Sequence, residues 1–212
     1  RFAFTGTLHR VDIDVADATM KLADRQRELE LLRLLDSDPA VMHFITGGRA
    51  TPRDEIEHDI LPAFLRYYER FTAYGFWAAI EKETGAFLGW FHFRPRETDP
   101  PDEPELGYRL KRAAWGKGYA TEGSRALIAK GFRELGVDRV TAETMAVNLG
   151  SRRVMEKSGL RFVRPFHQEW PESIPGDEHG DVEYALTRDE WEEQQAVADL
   201  PLSREPGEGP GR

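Results

Sequence analysis

The chain predicts a mixed α/β domain, and three features of its pattern carry that expectation. A leucine-rich segment of helical spacing comes first, a hairpin of short aromatic strands follows, and period-two runs then alternate with helical ones as β–α–β–α–β–β. With 212 residues, 40% of them hydrophobic, the chain can bury one sizeable core, and one domain is the default at this length.

Between 18 and 35, Met20, Leu22, Leu29, Leu31, Leu32, Leu34 and Leu35 suggest a helix, best defined from Arg25 on. It should stop at Asp36-Ser37-Asp38-Pro39, because a residue before proline disfavours the helical region. A short helical turn carries Val41, Met42, Phe44 and Ile45 and ends at Gly47-Gly48. Thr51-Pro52-Arg53-Asp54 reads as an N-cap, a proline at the first helical position and an acidic first turn. Ile56, Ile60, Leu61, Phe64, Leu65, Tyr68 and Phe71 continue that helix, and Pro62 inside it should kink or split it. Runs 76–80 and 87–93 flank Glu83-Thr84-Gly85 as a hairpin. Residues 94–104 form a loop holding Pro95, Pro100, Pro101 and Pro104. A strand at 105–110, a helix at 120–135, a strand at 139–147, a helix at 151–157 and strands at 160–167 and 181–187 complete the pattern. After Trp191 the pattern decays, and the Pro/Gly-rich end reads as a disordered tail.

Lys+Arg is 29 and Asp+Glu is 38, a formal net charge of −9. Nucleic-acid binding needs clustered positive charge, so no direct nucleic-acid partner is expected, whereas the acidic balance suits cationic substrates. The absence of cysteine excludes disulfides, thiolate zinc sites and a cysteine nucleophile, and fits a reducing compartment. No apolar run approaches the ~20 residues of a membrane span, and the N-terminus lacks a signal-peptide pattern. A soluble cytoplasmic protein without a membrane partner is the expectation. No metal is expected either, since His9, His43, His58, His92, His167 and His179 show no paired ligand spacing.

The segment W-G-K-G-Y-A-T-E at 115–122 carries the chemistry. An anion site needs backbone N–H groups aimed one way, little side-chain bulk and a helix N-terminus behind them. The strand at 105–110, Gly116, Gly118, Ala120 and a helix opening at Thr121-Glu122 supply these for a diphosphate cradle. On spacing alone, a glycine-rich strand-to-helix turn that binds nothing is an equal reading. A Walker-type loop is excluded because Lys117 is followed by glycine. A dinucleotide fingerprint fits less well, since Thr121 stands where the third glycine belongs, and it stays open as a lesser reading because Asp138 lies ~20 residues on.

This segment resembles motif A of the GNAT superfamily of acetyltransferases, R/Q-x-x-G-x-G/A, read as Trp115-x-x-Gly118-x-Ala120. Tryptophan in the first position departs from the general pattern and is usual in the ribosomal-protein alanine/serine N-acetyltransferase (RimJ/RimL-type) branch. N-L-G-S-R-R-V-M-E-K-S-G-L at 148–160 resembles that branch's N-x-x-S-x-x-V-x-E-K-x-G-F. D-S-D-P-A-V-M-H-F-I at 36–45 and V-E-Y-A-L-T-R-D-E-W at 182–191 resemble its first helix ending and its last strand and cap. The four fall in order over roughly 29–192. The resemblance implies the GNAT (acyl-CoA N-acyltransferase) fold: a central mixed, mostly antiparallel twisted sheet flanked by helices. It implies a GNAT domain at 29–192 and a tail at 193–212. Residues 1–28 stand outside that domain as an N-terminal segment without a matching motif, the stretch at 7–13 being nearest to the branch's opening strand.

By the same resemblance acetyl-CoA is the co-substrate, its pantetheine arm lying beside the fourth strand at Tyr108, Arg109 and Leu110, where a bulge frees backbone N–H groups. The diphosphate would meet Trp115, Gly116, Lys117, Gly118, Tyr119, Ala120 and Thr121. Asn148 corresponds to the asparagine that hydrogen-bonds the pantetheine amides. Ser151 corresponds to the serine beside the thiol sulfur, although it would also serve as a helix N-cap. Many relatives place a tyrosine one turn further on as thiol proton donor, and here that position is Met155. Arg152, Arg153 and Lys157 share a helix that could meet the adenosine phosphates. Glu105 is the first choice for general base, acting through a water, with a merely solvated carboxylate as its alternative. His92 is a second base, and Glu143 and His167 are lesser candidates on the acceptor side.

The implied reaction transfers acetyl from acetyl-CoA to a primary amine, a peptide N-terminus or a small molecule, by direct attack on the thioester. The alternative is a non-catalytic acyl-CoA-binding module, for which the missing tyrosine leaves room. The acceptor pocket should be built by the first two helical regions and the loops at 94–104 and 165–180, and the sheet edges allow a homodimer.

Overall fold

Strands close in sequence pair where their connection is short, and helices carry the crossovers. The computed structural model of the chain describes residues 7–10, 22–71, 73–96, 99–168 and 172–198, with backbone alone at 7–10, 22–28, 68 and 198. β1 (Thr7–Arg10), β2 (Gly75–Ile80), β3 (Phe87–Arg94) and β4 (Glu105–Leu110) form an antiparallel meander. β5 (Arg139–Met145) lies parallel to β4, while β7 (Asp181–Thr187) and β6 (Arg161–Phe166) add antiparallel. The strand order among the described residues is β1-β2-β3-β4-β5-β7-β6. β1 supplies the opening strand within the alternating stretch at 7–13 that had received no element.

The helices begin and end largely where local chemistry directs. α1 (Leu22–Asp36) stops before Asp38, whose carboxylate accepts the Ala40 N–H (2.9 Å) and caps α2 (Pro39–Thr46). Gly47, at φ +70°, closes α2 in the left-handed conformation. The next start differs from expectation. Pro52 occupies the N-cap position without a side-chain cap bond, and the Thr51 hydroxyl donates instead to the Asp36 carboxylate (2.8 Å). A turn of α3 (Arg53–Glu55), a π-helical turn (Ile56–Ile60) and α4 (Leu61–Arg70) then follow. The wide π turn lies just ahead of Pro62, which lacks an N–H and crowds the preceding turn, so the helix is split as the proline demands.

Two apolar clusters sandwich the sheet. β3 alternates Phe91 and Phe93 toward α5 (Tyr119–Glu134), where they join Leu127, Ile128 and Phe132 in the main core. Its other face, carrying Trp90, His92 and Arg94, meets α1 and α4 through Leu29, Leu32, Ile56, Leu61 and Phe64. α6 (Leu149–Lys157) covers the gap beside β5. α7 (Arg188–Ala198) continues past the expected boundary at 192; at its start Trp191 packs at a tilt against Phe132 and Arg188 donates to the carbonyls of Phe132 and Val137. These contacts pin the helix through its first turn, and the rest of the expected tail, 199–212, lies outside the described residues.

Close approach of α5 to the sheet depends on Gly123, where a Cβ would overlap the Phe91 ring. Gly123→Leu should therefore destabilise the fold by about 1–3 kcal/mol, the usual cost of overpacking a filled core, read as a lower urea midpoint. An unchanged midpoint would show that Phe91 can move aside.

Candidate active site

β4 and β5 share a single register pair among the described residues, Glu105 opposite Thr141. Just before it, the Thr141 N–H donates to the Pro104 carbonyl (3.1 Å) and the Asp138 N–H to the Asp102 carbonyl (3.0 Å). Beyond it the strands part, and a cavity of about 1150 Å³ opens in the gap. The expected bulge in β4 is absent: the β3–β4 ladder runs without a register shift from Gly89 opposite Leu110 to Arg94 opposite Glu105. Divergence from β5, rather than a bulge, leaves β4 backbone groups without a strand partner on the cavity side. An extended ligand with its own amides can take that place, as an added strand would.

At the outer end, β4 leads through a 3₁₀ turn (Arg112–Ala114) into Gly116 (φ +73°) and Gly118 (φ +88°). Gly118 is the N-cap of α5 and offers no side-chain bond. The first-turn N–H groups of Tyr119, Ala120 and Thr121 therefore stay free at the positive end of a 16-residue helix. A Cβ at either glycine would meet nothing within 4 Å, so glycine is required here for its conformation and not for space. Trp115 anchors the loop by donating its indole N–H to the Leu110 carbonyl (2.9 Å), and its ring, 49% exposed, lines the cavity. The Tyr119 hydroxyl donates to Glu81 (2.5 Å), tying the helix start to the β2–β3 hairpin. Free amides, a helix N-terminus and a bare turn suit a diphosphate.

β4 separates two sets of side chains by strict alternation. Tyr108 lies on the α5–α6 face, opposite Phe91, and its hydroxyl reaches across the gap to Ser151 Oγ (3.0 Å) on α6. Asn148, not Ser151, caps α6: its Oδ1 accepts the Ser151 N–H (3.1 Å) while its Nδ2 donates to Thr144 (3.1 Å). The Ser151 hydroxyl is thereby left to Tyr108 and the cavity. Burial pushes the Tyr108 phenol up to about 12 against the opposing pull of the Ser151 bond, so the phenol keeps its proton.

Glu105, Gly107 and Arg109 lie on the other face, opposite Arg94, His92 and Trp90. The His92 ring covers Gly107, where a Cβ would collide with it. His92 Nε2 stands 3.7 Å from a Glu105 oxygen and has no hydrogen-bond partner. Burial lowers the His92 pKa to about 4, with Arg94, Arg96 and Arg109 adding to the fall and Glu105 opposing it. Burial alone would raise Glu105, but His92, the Arg96 hydrogen bond and charge, and Arg94 outweigh it and hold the carboxyl at about 2. One guanidinium nitrogen, Arg96 Nη2, spans Glu105 (3.0 Å) and Glu143 (2.5 Å).

Arg109 and Leu110, expected at the site through their backbone groups, line the cavity while their side chains have further partners. The Arg109 side chain forms a buried ion pair with Asp36, 3% exposed, and lies 5.1 Å over Trp90, so it joins α1 to β4. Leu110 is core, its carbonyl held by Trp115. Arg152 turns inward to Tyr184 (3.1 Å) and the Ala146 carbonyl (3.0 Å), leaving Arg153 and Lys157 to line the cavity. His167 does not line the cavity, and its ring lies beside Gly180. Arg96 and the Tyr108 hydroxyl were missed as side-chain participants. Period-two parity, which puts Tyr108 opposite Phe91, could have found the second. No local signal marks Arg96, which sits in a proline-rich loop. No group of acidic or histidine side chains suited to a metal occurs among the described residues.

A sheet parted between two parallel strands, with an anion cradle at one end and ionisable groups on both faces of the inner strand, is the architecture of an acyltransferase that works on coenzyme A thioesters. The chain belongs to the GNAT acetyltransferase family, whose acetyltransferase (GNAT) domain matches residues 20–161. It is similar to the FsC-acetyl coenzyme A-N(2)-transacetylase of Aspergillus fumigatus, at 34% identity over 191 residues, 87% of this chain and 77% of that one. It is also similar to the uncharacterized protein YkkB of Bacillus subtilis, at 28% identity over 155 residues, covering 73% and 87%. Among solved structures, the ribosomal L7/L12 alpha-N-protein acetyltransferase RimL in complex with coenzyme A shares the fold, with a TM-score of 0.66 at 16% identity over 87% of this chain and 95% of that one. The aminoglycoside acetyltransferase AAC(6')-Ib with coenzyme A does so with a TM-score of 0.62 at 18% identity, covering 80% and 95%. The chain is an acetyl-CoA-dependent N-acetyltransferase, and the non-catalytic binding module finds no support.

Two outcomes follow from the site's conformation and charge. Gly118→Ala must hold a left-handed residue at a cost of roughly 1–2 kcal/mol, so acetyl-CoA should bind about tenfold more weakly by calorimetry. Equal binding would show that the cradle tolerates a Cβ. His92 has a folded pKa of about 4 against an ordinary 6.5, so below pH 6.5 the unfolded chain takes up a proton that the folded chain refuses. Stability is then complete above pH 6.5 and falls toward pH 4 by about 3 kcal/mol. Glu105, depressed from 4.5 to about 2, adds a further loss below pH 4.5. Thermal melts from pH 7 to 4 should show this slope, and His92→Asn should flatten its upper part.

Proposed function

We propose that a primary amine enters from the His92–Glu105 face of β4 and attacks the acetyl thioester held in the gap, while the Tyr108–Ser151 pair serves the sulfur from the opposite face. The observation that carries this reading is the alternation of β4, which puts a potential proton acceptor and a hydroxyl donor on opposite sides of one strand edge. In the Nδ1-protonated tautomer, the unpartnered Nε2 of His92 accepts the proton the amine must lose. It is the stronger base of the pair, since Glu105 lies lower, at about 2. Glu105 keeps its charge and holds the incoming ammonium, directly or through a water. As the carbon–sulfur bond breaks, the Ser151 hydroxyl, backed by Tyr108, donates to the thiolate, a task Met155 cannot perform. Thr121, the free amides at the start of α5, and Arg153 hold the coenzyme phosphates, and the edge of β4 holds its amide arm.

The acceptor is an amine of a small molecule or a peptide N-terminus. The relative from Aspergillus fumigatus, at 34% identity, is named an FsC-acetyl coenzyme A-N(2)-transacetylase, which favours an amine of a small molecule. No described helix is long and apolar enough to cross a membrane, and a cysteine-free chain fits the reducing cytoplasm.

Free thiol release from acetyl-CoA with a panel of amines tests the assignment. His92→Asn should lower kcat by roughly 10²-fold, the scale of one general base, with acetyl-CoA affinity unchanged. Glu105→Gln should raise the amine KM more than it lowers kcat. Ser151→Ala with Tyr108→Phe should depress kcat without moving the amine KM. Full activity in all of these variants would remove the side-chain roles and leave catalysis to backbone groups and alignment.

A further inference from the structure

The acceptor end of the cavity holds two carboxylates on adjacent strands, Glu105 on β4 and Glu143 on β5, at side-chain exposures of 15% and 17%. Two such groups facing one space would ordinarily draw polycationic amines. Here the chain supplies its own cation. Arg96, from the loop after β3, places Nη2 on both, and Arg94 stands 3.8 Å from Glu105 while its guanidinium donates to the Tyr67 hydroxyl and lies 4.8 Å over the Tyr67 ring. The other charged neighbour, Arg109, is consumed by Asp36, and His92 is neutral at neutral pH. Asp181 adds one further carboxylate to the lining. Two arginines therefore balance Glu105 and Glu143, and a second ammonium on an acceptor would approach the Arg96 guanidinium with like charge.

We propose that Arg96 is a specificity-determining residue: by occupying the Glu105–Glu143 pair it reserves the acceptor end for amines of a single positive charge and turns polyamines away. The inference rests on the amine entering from this face, as set out above. It sets this pocket apart from an open acidic cleft, in which peptides, polyamines and aminoglycosides would be taken alike. Arg96 is partly exposed, at 36%, so an acceptor can reach it without unfolding the loop.

Removing the guanidinium should free a two-carboxylate cation site. Spermidine is titrated calorimetrically into protein saturated with coenzyme A, for the wild type, Arg96→Met and Arg96→Lys. Arg96→Gln, which keeps a hydrogen-bond donor for the carboxylates, replaces the methionine variant should that one fail to fold. Spermidine should bind the neutral variants at least tenfold more tightly than the wild type, and Arg96→Lys should behave as the wild type because it retains the charge. Spermidine affinities equal within twofold, or a lysine variant that binds spermidine as tightly as the methionine one, would overturn the proposal and make Arg96 a pin for its loop. Thiol release with an α-amino amide and with spermidine is followed in the same variants, and the spermidine-to-monoamine ratio of kcat/KM should rise about tenfold on neutralisation. Failure of the wild type to release thiol with any amine would count against the placement of the acceptor, whereas the spermidine affinities decide Arg96 on their own.

Discussion

The divergence of β4 from β5 is the constraint from which the working parts of this molecule follow. The two strands are locked at Glu105 and Thr141 by the hydrogen bonds just before them, and past that point β4 has no strand partner on that edge among the described residues. A buried edge without hydrogen bonds is costly, so the gap is stable only because the cavity admits solvent or ligand. The helices are arranged to keep it open. α5 is held close to β3 by the bare Gly123, α6 is capped by Asn148 at the far wall, and α1 is fastened to β4 by the buried Asp36–Arg109 pair. Breaking a buried pair of that kind leaves one charge uncompensated, so the pair fixes the end of α1 against β4.

The same geometry sorts the chemistry. Because β4 alternates, the groups suited to an amine and those suited to a thiol cannot mix: Glu105 shares a face with Gly107, and Tyr108 lies on the other. Burial acts on both sides and is answered differently. Tyr108 is pushed up and stays a donor, His92 is pushed down and stays neutral, and Glu105 is held low by the arginines and His92 around it. Low dielectric without a compensating charge would have neutralised Glu105 instead. His92 and the arginines at 96 and 94 therefore keep Glu105 charged within a buried site.

Much of the cradle was legible in the sequence because it depends on local requirements. Left-handed backbone at Gly116 and Gly118 and a helix start without a bulky cap are properties of consecutive residues, whereas the bond of the Trp115 indole to the Leu110 carbonyl was found only in the structure. The proline-split helix and the α2 boundaries were legible for the same reason. The misses share a different cause. Thr51 spends its hydroxyl on Asp36, Arg152 on Tyr184, and α7 is held by Phe132, all partners distant in sequence. Propensity and spacing do not register such partners.

Sequence by itself determined the class of fold and the glycine turn before α5, since these rest on backbone conformation and short-range periodicity, while the donor was implied by the resemblance of four ordered motifs to a known family. It also brought Glu105, His92, Asn148 and Ser151 into view as residue types fit for the reaction. Tertiary structure alone decided their division of labour. It paired Tyr108 with Ser151 across 43 residues of chain and brought Arg96 onto Glu143. It also replaced an expected bulge with a parting of strands. Charge balance and hydrogen-bond partnership are properties of groups that meet in space, and only the packing of strands and helices determines which groups meet.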